Sequence, residues 1–195
     1  MDDSLLLLNF FERKAKLKLT PELESLILNS FETKHYTKKT VIFRPGDMNT
    51  PHFFIEKGIV RLYLIDQQGK EINILFAREN QLIGDLKTPN ATSFYMETIE
   101  DSRISSITEV SFQKLIQKLD SIQTFDLNSY LRNAYIHIQN RLVSILSKSA
   151  GENYLEFKEA YPDLIQRIPQ YLIAGYIGIS PEFLSKLIAK TTKGL

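Results

Sequence analysis

The hydrophobic pattern changes period twice along this chain. Up to Phe31 it is helical: Thr20-Pro21-Glu22 reads as a helix start, with Thr20 as cap and Pro21 in the first turn, and Leu23, Leu26 and Ile27 recur on one face. From His35 to about Thr108 the period falls to two. Val41 and Phe43 alternate with Thr40 and Ile42; Val60, Leu62 and Leu64 with Arg61, Tyr63 and Ile65; Ile72, Ile74 and Phe76 with Glu71, Asn73 and Leu75. Turn signals separate these runs at Pro45-Gly46-Asp47, Lys57-Gly58, Asp66 to Lys70, Gly84-Asp85 and Pro89-Asn90. Many short strands between regular turns predict a sandwich or barrel of the jelly-roll kind. After Glu109 the helical period returns, first in Phe112, Leu115, Ile116 and Leu119. A longer helix is then expected from about Ser121 to Ser149, where Leu127, Leu131, Ala134, Ile138, Leu142 and Ile145 recur at steps of three and four, the seam of a coiled coil. One narrow apolar seam on a long helix predicts a dimer interface. Ser149 to Asn153 is expected to end that helix, and Tyr154 to Phe157 to form a short strand.

The pattern is sharpest in Gln170 to Ala189. Ile173 and Ile177 share a face with the small Ala174 beside them, Gly178 supplies a turn, Ile179 tucks into the angle, Ser180 is an N-cap and Pro181 occupies the first helical position. Leu184, Leu187 and Ile188 form a second apolar face, with Glu182, Ser185, Lys186 and Lys190 outward. A small residue where two helices touch, Gly at the turn and apolar residues inward are the spacing of a helix-turn-helix. Its second helix would enter the major groove. Pro181, Glu182, Ser185 and Lys186 lie nearest the base edges, Glu182 able to accept from a cytosine amino group and Lys186 to donate to guanine. Gln170, Tyr171, Ser180, Lys190 and Lys193 are better placed for phosphates.

Composition constrains the rest. With 195 residues, 43% of them hydrophobic, the chain can bury a core, and its net charge of +1 means that any basic surface must be local. Such a local bias exists: Lys186, Lys190 and Lys193 face only Glu182 between Ser180 and Leu195. The absence of Cys excludes disulfides, thiol redox sensing and a cysteine-ligated cluster. Leu5 to Leu8 is too short an apolar run to span a bilayer and no signal-peptide pattern precedes it, so a cytoplasmic location without membrane association is expected. The three His residues are scattered singly and no His-x-His occurs, which argues against a metal-dependent β-roll enzyme. His52 reads as an ordinary surface or core residue, and Glu97, Glu100, Asp101 and Arg103 as a solvated, charged strand end. With no nucleophile elbow and no phosphate-binding Gly-rich loop, no enzymatic activity is expected.

The order of β-roll, long helix and helix-turn-helix resembles the Crp/Fnr superfamily of bacterial transcription regulators. The resemblance runs from about Pro21 to Lys190. It rests on FRPGD (Phe43 to Asp47), EKGIVRLY (Glu56 to Tyr63), LIGDL (Leu82 to Leu86) and RIPQYLIAGYIGISPEFLSKL (Arg167 to Leu187), the last similar to members common in Bacteroidetes-type bacteria. It implies an α+β chain in which residues 1–120 hold a cyclic-nucleotide-binding-like double-stranded β-helix with flanking helices, residues 121–150 a dimerisation helix with Leu127, Leu131, Ala134 and Ile138 in the interface, and residues 151–195 the DNA-binding domain. It further implies a homodimer on a roughly palindromic double-stranded operator, with RNA polymerase a candidate partner. In nucleotide-binding members a Gly-Glu-Leu turn and an Arg-Ser or Arg-Thr pair hold the ribose and the cyclic phosphate. Here the turn reads Gly84-Asp85-Leu86 and the pair falls on Thr92-Ser93, so the Arg is absent; Lys87 and Arg78 are near in sequence but off that position. A phosphate buried without a cation is costly, so cyclic AMP is not the expected effector and no cofactor is assigned. Phe94 and Tyr95 read as core strand residues. Many relatives continue into a β-hairpin wing, whereas this sequence ends at Leu195, and modest DNA affinity is expected. The alternative function is a sensory or protein-interaction module that keeps the fold without productive DNA binding.

Overall fold

A computed structural model describes residues 4–15, 18–85, 90–121 and 127–192. The chain falls into two units. The first is Met1–Leu62 with Phe76–Tyr130; the second is Tyr63–Leu75 with Leu131–Leu195.

Among the described residues, eight strands build the β-roll. β1 (Glu32–Tyr36), β8 (Ser102–Ile107), β3 (His52–Lys57) and β6 (Gln81–Ile83) form one four-stranded sheet in that order, and β2 (Val41–Phe43), β7 (Tyr95–Thr98), β4 (Val60–Ile65) and β5 (Glu71–Ala77) form the other. This is the jelly-roll arrangement expected from the alternation. β3 departs from strict alternation, with five consecutive buried residues from His52 to Glu56. Both faces of the strand are covered: Phe54 packs in the helix-lined cluster with Ile107, and Phe53 stacks on Phe43 of the other sheet. A bulge ends the run: Ile55 pairs with Ile104 and Lys57 with Arg103, so Glu56 has no opposite number. Gly58 closes the turn to β4 at φ +98, and a Cβ there would lie 2.9 Å from the Ser102 main chain, so no other residue fits.

Three helices cover one side of this roll. α1 (Ser4–Ala15), α2 (Pro21–Ser30) and α3 (Glu109–Ser121) bring Phe10, Phe11, Ile27, Leu115 and Leu119 against Phe54 and Ile107. Phe10 meets Phe54 at 5.2 Å between ring centroids. Each such side chain contributes about 1.5–3 kcal/mol on burial. The sequence signals at Thr20-Pro21 hold: Thr20 caps α2 by accepting from the Leu23 N–H, and Pro21 is its first residue.

The second unit is helical apart from the tip of the β4–β5 hairpin. α4 (Leu127–Ser147) covers most of the expected long helix; Ser121, its expected start, ends α3, and residues 122–126 lie outside the described residues. Tyr154 to Phe157 is not a strand. It lies within α5 (Ala150–Ala160), which starts on a capping box: Ser149 accepts from the Glu152 N–H while the Glu152 carboxylate accepts from the Ser149 N–H at 2.8 Å. The Ser149-to-Asn153 break therefore both ends one helix and starts another. A short α6 (Leu164–Arg167) leads to α7 (Gln170–Ile177) and α8 (Pro181–Thr192). No single described helix is long and apolar enough to cross a membrane, and although α7 and α8 together have the length and composition, the pair is bent by 101°.

Candidate nucleic-acid interface and effector pocket

The helix-turn-helix is built on the expected residues. Leu172, Ile173, Ala174 and Ile177 of α7 and Leu184 of α8 are buried, and Leu187 and Ile188 are half-buried. Gly178 takes φ +87, a left-handed conformation that suits glycine, and its N–H donates to the Ala174 carbonyl at 2.9 Å. Ser180 caps α8, accepting from the Phe183 N–H at 3.2 Å. The bend of 101° is that of a helix-turn-helix. With the apolar face fixed inward, Gln170, Tyr171, Ser180, Pro181, Glu182, Ser185, Lys186 and Lys190 are all exposed; Lys193 lies outside the described residues. The Glu182 carboxylate is held below its ordinary value by its own main-chain N–H, then by Ser180, with Lys186 adding a smaller pull, so it is ionised at neutral pH. Sequence reasoning passed over Phe183. It is 52% exposed and, at 100° per residue, shares the outward face with Lys186 and Lys190. An aromatic among charged positions was the available signal.

The hairpin tip, residues 63–75, supports α7. Asn73, placed on the polar side of the alternation, is buried, and its amide donates to the Leu172 carbonyl at 2.8 Å. Gly175 permits that approach, since a Cβ there would lie 2.9 Å from the Asn73 amide nitrogen. Arg141 of α4 donates to the carbonyls of Ile74, Asn73 and Tyr176, and its guanidinium lies 4.0 Å from the Tyr176 ring centroid. One side chain thus joins α4, the hairpin and α7.

The expected effector residues are distributed differently. Gly84 follows β6, and a Cβ there would come within 2.7 Å of His52 Nδ1, so the glycine makes room for a histidine. Asp85 and Thr92 are buried and Ser93 is exposed; Leu86 and Lys87 lie outside the described residues. Thr92 is tied into the local turns: its carbonyl accepts from Gly46 at 3.0 Å, its N–H donates to Asp47 at 3.0 Å and its hydroxyl accepts from the Phe94 N–H at 3.1 Å. Phe94 and Tyr95 are partly buried.

One reading of the charged residues needs correction. Arg103 and Glu97 are not part of a solvated strand end. Arg103 donates to Glu56 at 2.6 Å, and Glu56, 5% exposed, also accepts from Ser105 and Thr33. Glu97 accepts at 2.9 Å from Arg61, which is 4% exposed although the alternation of β4 places it opposite Val60 and Leu62. Only Asp101 is exposed, and it accepts from the Lys38 N–H. His52 is a core residue: it shares a 2.5 Å hydrogen bond with Glu109 and packs on Phe112 at 4.3 Å between ring centroids. No group of three or more His, Asp or Glu side chains among the described residues is arranged to hold a metal ion.

α4 presents a broad apolar stripe. Leu131, Tyr135, Ile138, Leu142, Ile145 and Leu146 are all exposed, Ile138 at 59% and Leu146 at 77%. Ala134 is exposed beside them, and the side chain of Leu127 lies outside the described residues.

No curated protein matches the chain by sequence. The profile of the cyclic nucleotide-binding domain matches residues 33–119. Among solved structures, the chain is similar to CLP, the c-di-GMP-responsive global regulator of Xanthomonas campestris, with a TM-score of 0.72, 13% identity and coverage of 90% of this chain and 93% of that one. It is similar to FixK2 from Bradyrhizobium japonicum, with a TM-score of 0.72, 18% identity and coverage of 84% and 86%. A protein assigned to the Crp/Fnr family of transcriptional regulators, from Eubacterium rectale, gives a TM-score of 0.68 at 15% identity, covering 95% and 88%. Residues 33–119 therefore match the cyclic nucleotide-binding domain family, and over most of its length the chain shares the fold of these regulators.

Proposed function

We propose that the chain is a homodimeric, sequence-specific DNA-binding transcription regulator whose effector is not cyclic AMP held in the family manner. The observation that carries the reading is α8: its inner face is buried against α7 through a left-handed glycine turn, and its outer face is left with Glu182, Phe183, Lys186 and Lys190 exposed. In the major groove, Lys186 donates to guanine acceptors, Glu182 accepts from a cytosine amino group and Phe183 meets a thymine methyl. Gln170, Tyr171, Ser180 and Lys190 contact phosphates and fix the register. The apolar stripe on α4 pairs two copies, which sets two α8 helices for half-sites about one helical turn apart. An inverted repeat is the operator this symmetry requires.

The reading is tested by selecting sites from random DNA with the full chain, with and without cell extract. Enrichment of an inverted repeat, with binding that falls steeply as salt rises, is the expected result. No preference over random DNA would overturn it in favour of an interaction module. For the effector, buried Thr92 and exposed Ser93 offer no cation at the position of the family's phosphate-binding Arg. Cyclic AMP at sub-millimolar concentration is therefore expected to leave the melting temperature unchanged, and a rise of several degrees would refute this.

A further inference from the structure

The second unit contains a cavity of about 200 Å³ between α4, α5 and the end of α7. One wall is aromatic: Phe157 stands 5.1 Å from Tyr161 and 5.3 Å from Tyr176 between ring centroids. Arg141 lines the same space. Its terminal nitrogens are held by three main-chain carbonyls, but among the described residues it has no carboxylate within ion-pair distance, and its Nε is buried without a hydrogen-bond partner. The two buried arginines of the β-roll differ: Arg61 faces Glu97 at 2.9 Å and Arg103 faces Glu56 at 2.6 Å. Burial pulls the Arg141 guanidinium below its ordinary value, as expected of a desolvated cation without a counter-charge. The one acid on the cavity wall, Glu156, is engaged by Ser144 and by Lys148 at 3.0 Å, so its charge is already matched. A desolvated cation beside an aromatic wall selects for an anion with a flat apolar body. The volume admits only a small one.

We propose that this cavity binds a small organic monoanion with an aromatic ring, of the benzoate type, with its carboxylate at Arg141 and its ring against Phe157 and Tyr161. Arg141 also fastens the carbonyls of Asn73 and Ile74 in the hairpin and of Tyr176 in α7, so a ligand there acts on the side chain that holds α7. The competing account is that Arg141 is a clamp and nothing more, and that account requires the cavity to stay empty.

The test uses the full chain, with sodium benzoate and its neutral isostere benzamide as probes, followed by calorimetry and ligand-observed saturation-transfer NMR. Benzoate is expected to bind once per chain with Kd of about 1 mM or tighter, and benzamide about tenfold more weakly or worse. Arg141→Gln should abolish the preference for the anion. Because that change also loosens the hairpin, a second variant is needed. Ala160 lines the cavity from an exposed position, and Ala160→Trp should block it while leaving the melting temperature unchanged. No binding of benzoate to the wild type at about 10 mM, or equal binding to the wild type and Ala160→Trp, would overturn the proposal. Only ligand binding is read, so failure leaves the DNA-binding proposal standing.

Discussion

The β-roll and the helix-turn-helix use charge in opposite ways. In the helix-turn-helix, Glu182, Lys186 and Lys190 are fully outward and their backbone support is apolar: a buried stripe, a left-handed glycine and a serine cap. The β-roll holds two pairs of charges inside, Arg61 with Glu97 and Arg103 with Glu56. An exposed charge costs little to hold and is free to meet a partner. A buried pair is costly to break and has its partner already. The difference bears on the effector: the two buried guanidinium groups of the roll, Arg61 and Arg103, each have a carboxylate against them, so a phosphate reaching either must compete with Glu97 or Glu56.

The strongest way to break this comparison is to remove one buried partner. Glu56→Ala leaves Arg103 without its carboxylate and Ser105 and Thr33 without their acceptor, and is expected to cost about 3–5 kcal/mol in denaturant unfolding. The double change Glu56→Leu with Arg103→Met should cost clearly less than the single one, since no charge is stranded. A loss below about 1 kcal/mol for Glu56→Ala would mean that the pair behaves like a surface bridge and that the contrast is false. At the other end, Lys186→Ala should leave stability nearly unchanged and relax selectivity at one base pair by about 1–3 kcal/mol, read from site selection on the variant. Equal loss on all sequences would make Lys186 a phosphate contact instead.

Gly178→Ala sharpens the comparison from the backbone side. Nothing lies within 4 Å of a Cβ at that position, so the cost is conformational only, about 1–2 kcal/mol for a left-handed non-glycine residue. Thermal unfolding should show that loss, and DNA affinity should fall with it because the turn sets the direction of α8. A variant as stable as the wild type would show that the turn can relax to ordinary dihedrals.

What could be read from the sequence follows the same division. The period-two run, the turns at Gly46, Gly58 and Asp66 to Lys70, the Thr20-Pro21 start and the whole of Gln170 to Ala189 were legible because each depends on neighbours within a few residues; Pro89, of the expected Pro89-Asn90 turn, lies outside the described residues. Asn73, Arg61, Glu97 and Arg103 were not. Their burial is set by partners 36 to 99 positions away, and alternation assigns a polar residue to the outside by default. Glu56 is likewise buried by partners 23 to 49 positions away, Thr33, Arg103 and Ser105. Tyr154 to Phe157 looked like a strand because Tyr and Phe favour one, while Ser149 and Glu152, three residues apart, carried the stronger signal of a helix start.

The smallest effect concerns a carboxylate that sits between the two cases, Glu152. It is fully exposed, yet it is structural, since it closes the capping box of α5. The Ser149 hydroxyl and then the Ser149 N–H hold it below its ordinary value of 4.5, with a minor pull from Lys148. A carboxylate whose value is lowered on folding stabilises the fold above the unfolded value, and that stabilisation is lost as pH falls through the folded value. Glu152→Gln keeps the shape and the hydrogen-bonding oxygen but removes the charge. It should therefore melt slightly below the wild type at neutral pH, and the two curves should converge as pH drops past the folded value of Glu152. Amide exchange in α5 localises the effect. A difference that persists unchanged once pH has fallen past the folded value of Glu152 would mean that the box depends on shape alone, and that exposed charge in this unit is used for nothing but its outer surface.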